Sequence, residues 1–128
     1  MSIIINLTDQ QHENLIIGAL EGGSNYWYHL TKNAVAIVNK LCPADKKDEP
    51  LSIRFWAAIK AGAVIPINDR ENSKEELGEI SLTSIEKGEQ LLADKSPHHL
   101  ADILSEDGDA ITDDVWFQYC TLGEIVYG

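Results

Sequence analysis

Apolar residues recur at helical spacing in six stretches of the chain. In the first stretch Leu15, Ile16 and Leu20 fall on one helical face, and Thr8 with Gln11 forms a capping box in front of it. Glycines, prolines and hydroxyl or acidic caps bound the other stretches in the same way. The pattern predicts helices over 9–21, 26–41, 52–61, 83–94 with Thr83 as the N-cap, from Pro97 to the turn at Asp107, and 113–122 with Thr112 as the N-cap.

Short runs rich in β-branched residues lie between these stretches and predict strands over 3–7, 63–67, 77–82 and 124–128. Pro66 has no N–H to donate, which favours a sheet edge for its strand. No segment repeats another, and no linker separates two apolar groups. The sequence therefore predicts one compact α+β domain over residues 1–128, with a small antiparallel sheet packed against several short helices.

Composition places the chain among ordinary globular proteins, since it has 128 residues, of which 44% are hydrophobic and 24% charged. Cys42 and Cys120 lie far apart and outside any C-x-x-C pattern, which is typical of reduced thiols. The first residues show neither a basic region nor the apolar stretch of a signal peptide. No apolar run approaches the roughly 20 residues that cross a bilayer. We expect a cytoplasmic protein with no membrane partner.

The net charge of −11 narrows the possible partners, because a strongly acidic chain repels phosphate backbones. We therefore expect no direct binding to nucleic acid. Residues 96–128 contain acids but no Lys or Arg. The acids of this stretch form either a solvated face or an acidic interaction face for a basic partner. The residues of the candidate face are Asp102, Glu106, Asp107, Asp109, Asp113 and Asp114.

The aromatic residues fall in tight groups, and neighbours on a helix point about 100° apart, so one group cannot face a single core. Each group is expected to place one ring in the core and another at a surface, an interface or a pocket. Gly22 and Gly23 precede the first group and could offer N–H groups to an anion, or simply end a helix. The candidate ligand-binding or interface residues are Glu21, Gly22, Gly23, Ser24, Asn25, Tyr26, Trp27, Trp116, Gln118 and Tyr127.

The sequence offers little to catalysis or metal binding. His98 and Asp102 are spaced to share a helical face, but an exposed histidine in a first turn explains this spacing better. If Gly108 were the sixth residue of a calcium loop, the first position would be Ile103, which has no side-chain oxygen. Phosphate-binding glycine loops are absent. We assign no catalytic residue, metal ligand or cofactor.

Two parts of the chain are similar to a known group of proteins. Residues 19–27 resemble the E-G-G-x-x-Y-W element of small uncharacterised proteins from tailed phages and prophages. Residues 109–115, Gln118 and the run 123–128 resemble the second signature of that group, and 68–71 match its middle more loosely. The resemblance implies a viral or mobile-element setting and no particular reaction. Small phage proteins of this kind often bind something that belongs to the host.

Three hypotheses follow. The first is a homo-oligomeric, non-enzymatic binding protein that sequesters a small nucleotide-like ligand of the host, in counter-defence, around residues 21–27 and the last predicted helix. The second is an acidic protein–protein interaction module that acts on a basic host or phage protein, in the manner of a nucleic-acid mimic. The third is a small hydrolase or transferase that uses His98 or His29 with a carboxylate.

Overall fold

The apolar stretches form six α-helices in the computed structural model, which describes residues 5–128. A three-stranded antiparallel sheet accompanies them, so the predicted α+β class is confirmed. The helices are α1 (Asp9–Gly18), α2 (Lys32–Leu41), α3 (Leu51–Lys60), α4 (Leu82–Lys95), α5 (Pro97–Leu104) and α6 (Ala110–Leu122). A π-helical turn, Ala19–Gly23, extends α1, and a 3-10 turn, Ala44–Lys46, precedes α3. Among residues 5–128 no helix is long and apolar enough to cross a membrane.

The sheet has the order β1 (Tyr28–His29), β2 (Ile65–Asp69) and β3 (Glu76–Ile80). β2 is the central strand, yet β1 pairs only with Asn68 and Asp69. Pro66 pairs with Glu79 on β3 and has no partner on the β1 side. The edge position predicted for this strand is therefore wrong, but Pro66 lies beyond the short pairing with β1, so its missing N–H costs no ladder bond on that side.

Helix α6 lies at the centre of the core. Trp116 and Phe117 are fully buried, and the adjoining helix α4 approaches so closely that a Cβ on Gly88 would lie 2.5 Å from the Cα of Cys120. Only glycine fits there, because real Cβ atoms do not approach other atoms to that distance. This close contact fixes the position of α6, from which the side chains of the candidate site project.

The helix predicted over 26–41 is wrong in its first third. A turn occupies 24–27 and Tyr28–His29 forms β1, so that α2 begins only at Lys32. Thr31 is the N-cap, with its hydroxyl accepting from the N–H of Ala34 at 3.1 Å. The aromatic residues of this stretch are used in tertiary contacts with α6 and in pairing with β2, which override the local helical pattern.

Several other boundaries differ from the predictions. Ile3 and Ile4 lie outside the described residues, and 5–7 form no strand; residues 124–128 form no strand either. Helix α6 starts three residues before the predicted 113, because the carboxylate of Asp109, not Thr112, accepts from the third N–H. Helix α4 is capped by Ser81 in place of Thr83. Gly123 ends α6, as predicted, and does so in the left-handed conformation with a φ of 78°.

Candidate functional site

Asp114 is a buried carboxylate that accepts four side-chain hydrogen bonds. Its Oδ1 accepts from the hydroxyl of Ser24 at 2.7 Å and from the indole N–H of Trp27 at 2.8 Å. Its Oδ2 accepts from the phenol of Tyr26 at 2.6 Å and from the amide of Gln118 at 3.1 Å. Burial raises the pKa of Tyr26 to about 12, with a further contribution from Asp114, so the phenol stays a donor at neutral pH. One carboxylate therefore joins the turn 24–27 to α6.

The π-helical turn determines which residues reach Asp114. The N–H of Ser24 donates to the carbonyl of Ala19, five residues back, at 2.8 Å, so the turn is wider than an α-helical one. A Cβ on Gly23 would lie 2.4 Å from the carbonyl oxygen of Ala110, the first residue of α6. The absence of a side chain at Gly23 lets the turn rest against α6 and presents Ser24 to Asp114.

Gln118, one helical turn beyond Asp114, holds the residues that follow α6. We call residues 124–128 the end segment. The side-chain oxygen of Gln118 accepts from the N–H groups of Val126 and Tyr127 at 2.8 and 2.9 Å, and its amide donates to the carbonyl of Tyr127 at 3.2 Å. The ring of Tyr127 stacks on Trp27 with 5.1 Å between centroids and 10° between planes. A single glutamine thus satisfies the main chain of this segment.

An open cleft of about 500 Å³ lies between the π-helical turn, α6 and the end segment. Tyr26 and Ile111 stand at it with 47% and 64% of their surfaces exposed. No Lys or Arg contributes to its lining, whereas Asp114 does. The residues that line it are Gly22, Gly23, Tyr26, Ala110, Ile111, Asp114, Val115, Gln118, Ile125, Tyr127 and Gly128.

The electrostatic character of this cleft does not suit an anion. Gly22 and Gly23 close the π-helical turn that ends α1, and carbonyl oxygens of this turn already accept hydrogen bonds, that of Leu20 from the Tyr28 hydroxyl and that of Gly22 from the N–H of Asn25. The N–H groups of the glycines belong to the interior of that turn and are not presented as an anion-binding loop. The Asp114 carboxylate therefore gives the cleft its preference for positive charge or hydrogen-bond donors, which the first turn of α6 on the same lining partly offsets.

Seven of the ten predicted ligand-binding residues lie at or behind the cleft, and three lie elsewhere. Those that line the cleft are Gly22, Gly23, Tyr26, Gln118 and Tyr127, and those buried behind it are Ser24 and Trp27. The three that lie elsewhere are Glu21, Asn25 and Trp116.

Glu21 accepts from the hydroxyl of Ser52 on α3 at 2.5 Å. The main-chain oxygen of Asn25 accepts from Arg70 at 2.6 Å. Trp116 is fully buried among the core residues and lines no part of the cleft. Adjacent positions on a helix point in different directions, which separates Trp116 from its neighbours on the cleft side of α6.

The predicted acidic face is not uniformly exposed. Glu106, Asp107 and Asp109 are exposed, whereas Asp102 and Asp113 are partly buried. Asp114 is buried and directed into the interior, which corrects its assignment to a surface. The hydrogen bond from the main chain of Thr112 lowers the pKa of Asp109, which caps α6. The exposed part of this face therefore flanks the first turn of α6, next to the cleft.

A second buried carboxylate, Glu89 on α4, has no sequence motif that marks it. Its Oε2 accepts from the indole N–H of Trp116 at 3.0 Å and lies 2.8 Å from Nε2 of His12. The His12 ring packs 5.0 Å from that of Trp56. The one sequence signal for Glu89 is its helical spacing with Ile85 and Leu92. Both of these residues are buried, and the spacing places Glu89 on the core face of α4.

Among residues 5–128 no contact between His98 and Asp102 is found, and the neighbouring His99 binds a residue of α6. Nδ1 of His99 lies 3.0 Å from the Thr112 hydroxyl, and burial lowers the pKa of His99. His98 is exposed and its ring lies 4.2 Å from that of His99. Within residues 5–128 no group of three or more His, Cys, Asp and Glu side chains is placed to hold a metal ion.

Comparison with known proteins adds no relative. A scan against protein-family models and searches of curated proteins and of solved structures find no match to this chain. The functional interpretation therefore depends on the geometry described above.

Proposed function

We propose that this protein is a non-catalytic interaction module that binds a positively charged segment of another protein through the cleft. The observation that carries the proposal is the composition of the cleft. A buried carboxylate, Asp114, lies at a largely apolar opening, and no Lys or Arg of the described residues lines it. An acidic surface favours a basic partner both in the rate of encounter and in specificity.

The apolar residues around the opening would supply the anchor. Ile111, Ile125 and Val126 are about half exposed or more, and Tyr26 presents its ring beside them. Binding energy in protein interfaces concentrates in a few large side chains that fill such openings. A partner with one large apolar side chain next to Lys or Arg fits this arrangement. In the phage setting that the resemblance implies, a host protein would provide that segment.

A small planar ligand is the second candidate. The cleft volume of about 500 Å³ lies in the range of small-molecule sites, and the exposed ring of Tyr26 offers a stacking surface. Sequestration of a nucleotide-like ligand in counter-defence would use this ring. The Asp114 carboxylate weighs against a ligand that places its phosphates inside the cleft.

Selection from a random peptide library displayed on phage tests the first proposal. We expect the purified chain to enrich peptides with a large apolar residue beside Lys or Arg. Synthetic copies of these peptides should lose affinity about tenfold when the salt concentration is raised from 50 to 500 mM, on the order expected for charge-assisted contacts. Isothermal titration with the peptides, and separately with ATP, measures both candidate ligands.

Ile111→Lys should abolish peptide binding, because it replaces an apolar anchor at the opening of the cleft with a charge that repels the basic peptide. Leu104→Lys is the matched control: Leu104 is similarly exposed but does not line the cleft, so this variant should bind nearly as the unmodified chain does. Enrichment of acidic peptides, or equal binding by the Ile111 variant, would overturn the proposal. Binding of ATP without any peptide would favour the second candidate.

A further inference from the structure

A second cavity lies between α1, the first turn of α6 and the residues that connect α5 to α6. We call it the Asp113 cavity, and its volume is about 310 Å³. Its apolar wall is formed by Leu15 and Ile103, which are both buried. This volume is at the lower end of the range of small-molecule sites, so the cavity suits a ligand about as large as one amino-acid side chain.

The carboxylate of Asp113 lies partly buried at this cavity without a partner. Helix α1 approaches it at Gly18, where a Cβ would lie 2.0 Å from Oδ2, so only glycine leaves room for the carboxylate. Within residues 5–128 no hydrogen bond or salt bridge to the Asp113 side chain is found. Burial and the nearby charge of Asp109 raise the pKa of Asp113 to about 6, so the group is mostly ionised at pH 7, at a cost in stability. Carboxylates that burial perturbs in this way are enriched at functional sites.

The other polar groups of the cavity add negative charge and no positive charge. Glu106 lines it from the α5–α6 connection and is exposed. Helix α1 contributes the uncharged amides of Gln11 and Asn14, whose oxygens already accept hydrogen bonds within α1 and its cap. No Lys or Arg of the described residues lines the cavity. The attraction for a cation therefore comes from the carboxylates of Asp113 and Glu106.

We propose that the Asp113 cavity binds a guanidinium group on an aliphatic stem, with Asp113 as its counter-ion. Both oxygens of this carboxylate lack a donor, and a guanidinium offers two parallel N–H groups to one carboxylate. The methylene groups of the stem would pack on Leu15 and Ile103. A metal ion suits the cavity less, because no three acidic, His or Cys side chains of the described residues are grouped to hold one.

The guanidinium can come from an arginine side chain of another protein or from a small alkylguanidine. The inference does not depend on the proposed binding of a peptide in the cleft, because the two openings share no lining residue. Either proposal can therefore fail without the other.

Titration of the ¹⁵N-labelled chain with butylguanidinium, followed by two-dimensional NMR, tests the site. We expect the amide signals of Gly18, Gly108 and Asp113 to shift with an apparent Kd on the order of 1 mM at pH 7. Butylurea, which has the same shape and no charge, should bind at least about tenfold more weakly.

Two variants with the same change in net charge locate the site. Asp113→Asn keeps the shape of the side chain and removes a charge that costs stability, so this variant is expected to fold and to bind butylguanidinium about tenfold more weakly or less. Asp107→Asn is the control, because Asp107 is exposed and does not line the cavity. Its affinity should stay within about twofold of that of the unmodified chain.

The pH dependence identifies the group that holds the cation. Protonated Asp113 has no charge to offer, so the affinity for butylguanidinium should fall about tenfold from pH 7 to pH 5. Asp107→Asn should show the same fall and Asp113→Asn should not. Glu106 and Asp109, the other carboxylates near the site, are common to all three chains, so their titration cancels in the comparison.

A blocked tripeptide with arginine at its centre distinguishes the two sources of the guanidinium. A peptide affinity within about tenfold of that of butylguanidinium favours an arginine side chain of a partner protein, and a weaker peptide favours a small alkylguanidine. Equal affinity for butylguanidinium and butylurea would overturn the proposal. Undiminished binding by Asp113→Asn, or no shift of these amide signals up to ~20 mM butylguanidinium, would do the same.

Discussion

Asp114 and Glu89 are two buried carboxylates, and each is stabilised by the hydrogen bonds that it accepts, in different surroundings. Each accepts an indole N–H, from Trp27 and Trp116 respectively. Asp114 uses both oxygens and receives only uncharged donors, from 24–27 and Gln118. Glu89 receives both of its bonds at one oxygen, and His12 is one of the partners.

The difference shows that a buried carboxylate can connect elements of the core or can set the charge of a neighbouring surface. Glu89 fastens α4 to α1 and α6 inside the closed core, with a titratable partner beside it. Asp114 lies at the floor of an open cleft, where its uncharged donors leave its negative charge unopposed. The first arrangement stabilises packing, and the second also gives the neighbouring surface its electrostatic sign.

The largest effect is expected when Asp114 is removed. Asp114→Ala leaves Ser24 and Trp27 as buried donors without an acceptor, so we expect a loss of about 4 kcal/mol in the free energy of unfolding. Urea denaturation followed by tryptophan fluorescence measures it. Asp107→Ala, an exposed acid of the same stretch, should change stability by no more than about 0.5 kcal/mol. A loss below about 1 kcal/mol for Asp114→Ala would show that the four contacts do not hold the turn against α6.

Amide substitutions should separate the two carboxylates. In Asp114→Asn an NH₂ group, which cannot accept a hydrogen bond, replaces one of the two oxygens that accept from neighbouring donors. We expect the free energy of unfolding to fall by about 2 kcal/mol. In Glu89→Gln the remaining amide oxygen can still face both Trp116 and His12, so we expect the free energy of unfolding to fall by only about 1 kcal/mol. Thermal unfolding of both variants at one pH makes the comparison. The reverse order would mean that the charge of Glu89, rather than the number of its bonds, matters.

Asp113 completes the comparison, because it is partly buried yet no hydrogen bond to its carboxylate is found within residues 5–128. Burial, with the nearby charge of Asp109, raises the pKa of Asp113 to about 6 from 3.8. The folded state therefore binds the proton more tightly than the unfolded state does, and ionisation of Asp113 costs stability as the pH rises through that interval.

We expect Asp113→Asn to stabilise the protein by about 1 kcal/mol at pH 7 and to have little effect at pH 3. Urea midpoints measured across this range for both chains isolate the contribution, since all other groups are common to them. A difference that does not vary with pH would contradict the assignment.

Local patterns predicted most of the helices, because caps and apolar spacing act within one element. Thr8 with Gln11 forms the expected capping box, and Gly123 ends α6 as expected. The stretch 26–31 could not be predicted in this way. Its helical pattern is overridden by Asp114, which lies 87 residues further along the chain from Trp27. Local propensity contains no information about such a contact.

The candidate site was predictable in part. The glycine pair and the aromatic residues pointed to the surface that the cleft occupies, since neighbouring aromatic residues cannot all face one core. The sequence left open whether the glycines bind an anion or end a helix, and no local pattern marked the π-helical turn in which they close α1. Glu89 and His12 escaped notice because the bond between them joins α4 to α1, 77 residues apart.

The π-helical turn also sets how the chain tolerates changes of length. Because Ser24 bonds to the fifth residue back, the turn contains one residue more than an α-helix would use. Deleting Gly22 would restore the α-helical count and rotate everything after it by about 100° relative to α1. Ser24 and Trp27 would then face away from Asp114. In the described structure the hydrogen bonds of the exposed turn 71–75 stay within the β2–β3 hairpin. We therefore expect natural differences in chain length to occur in this turn and to be rare in residues 19–27.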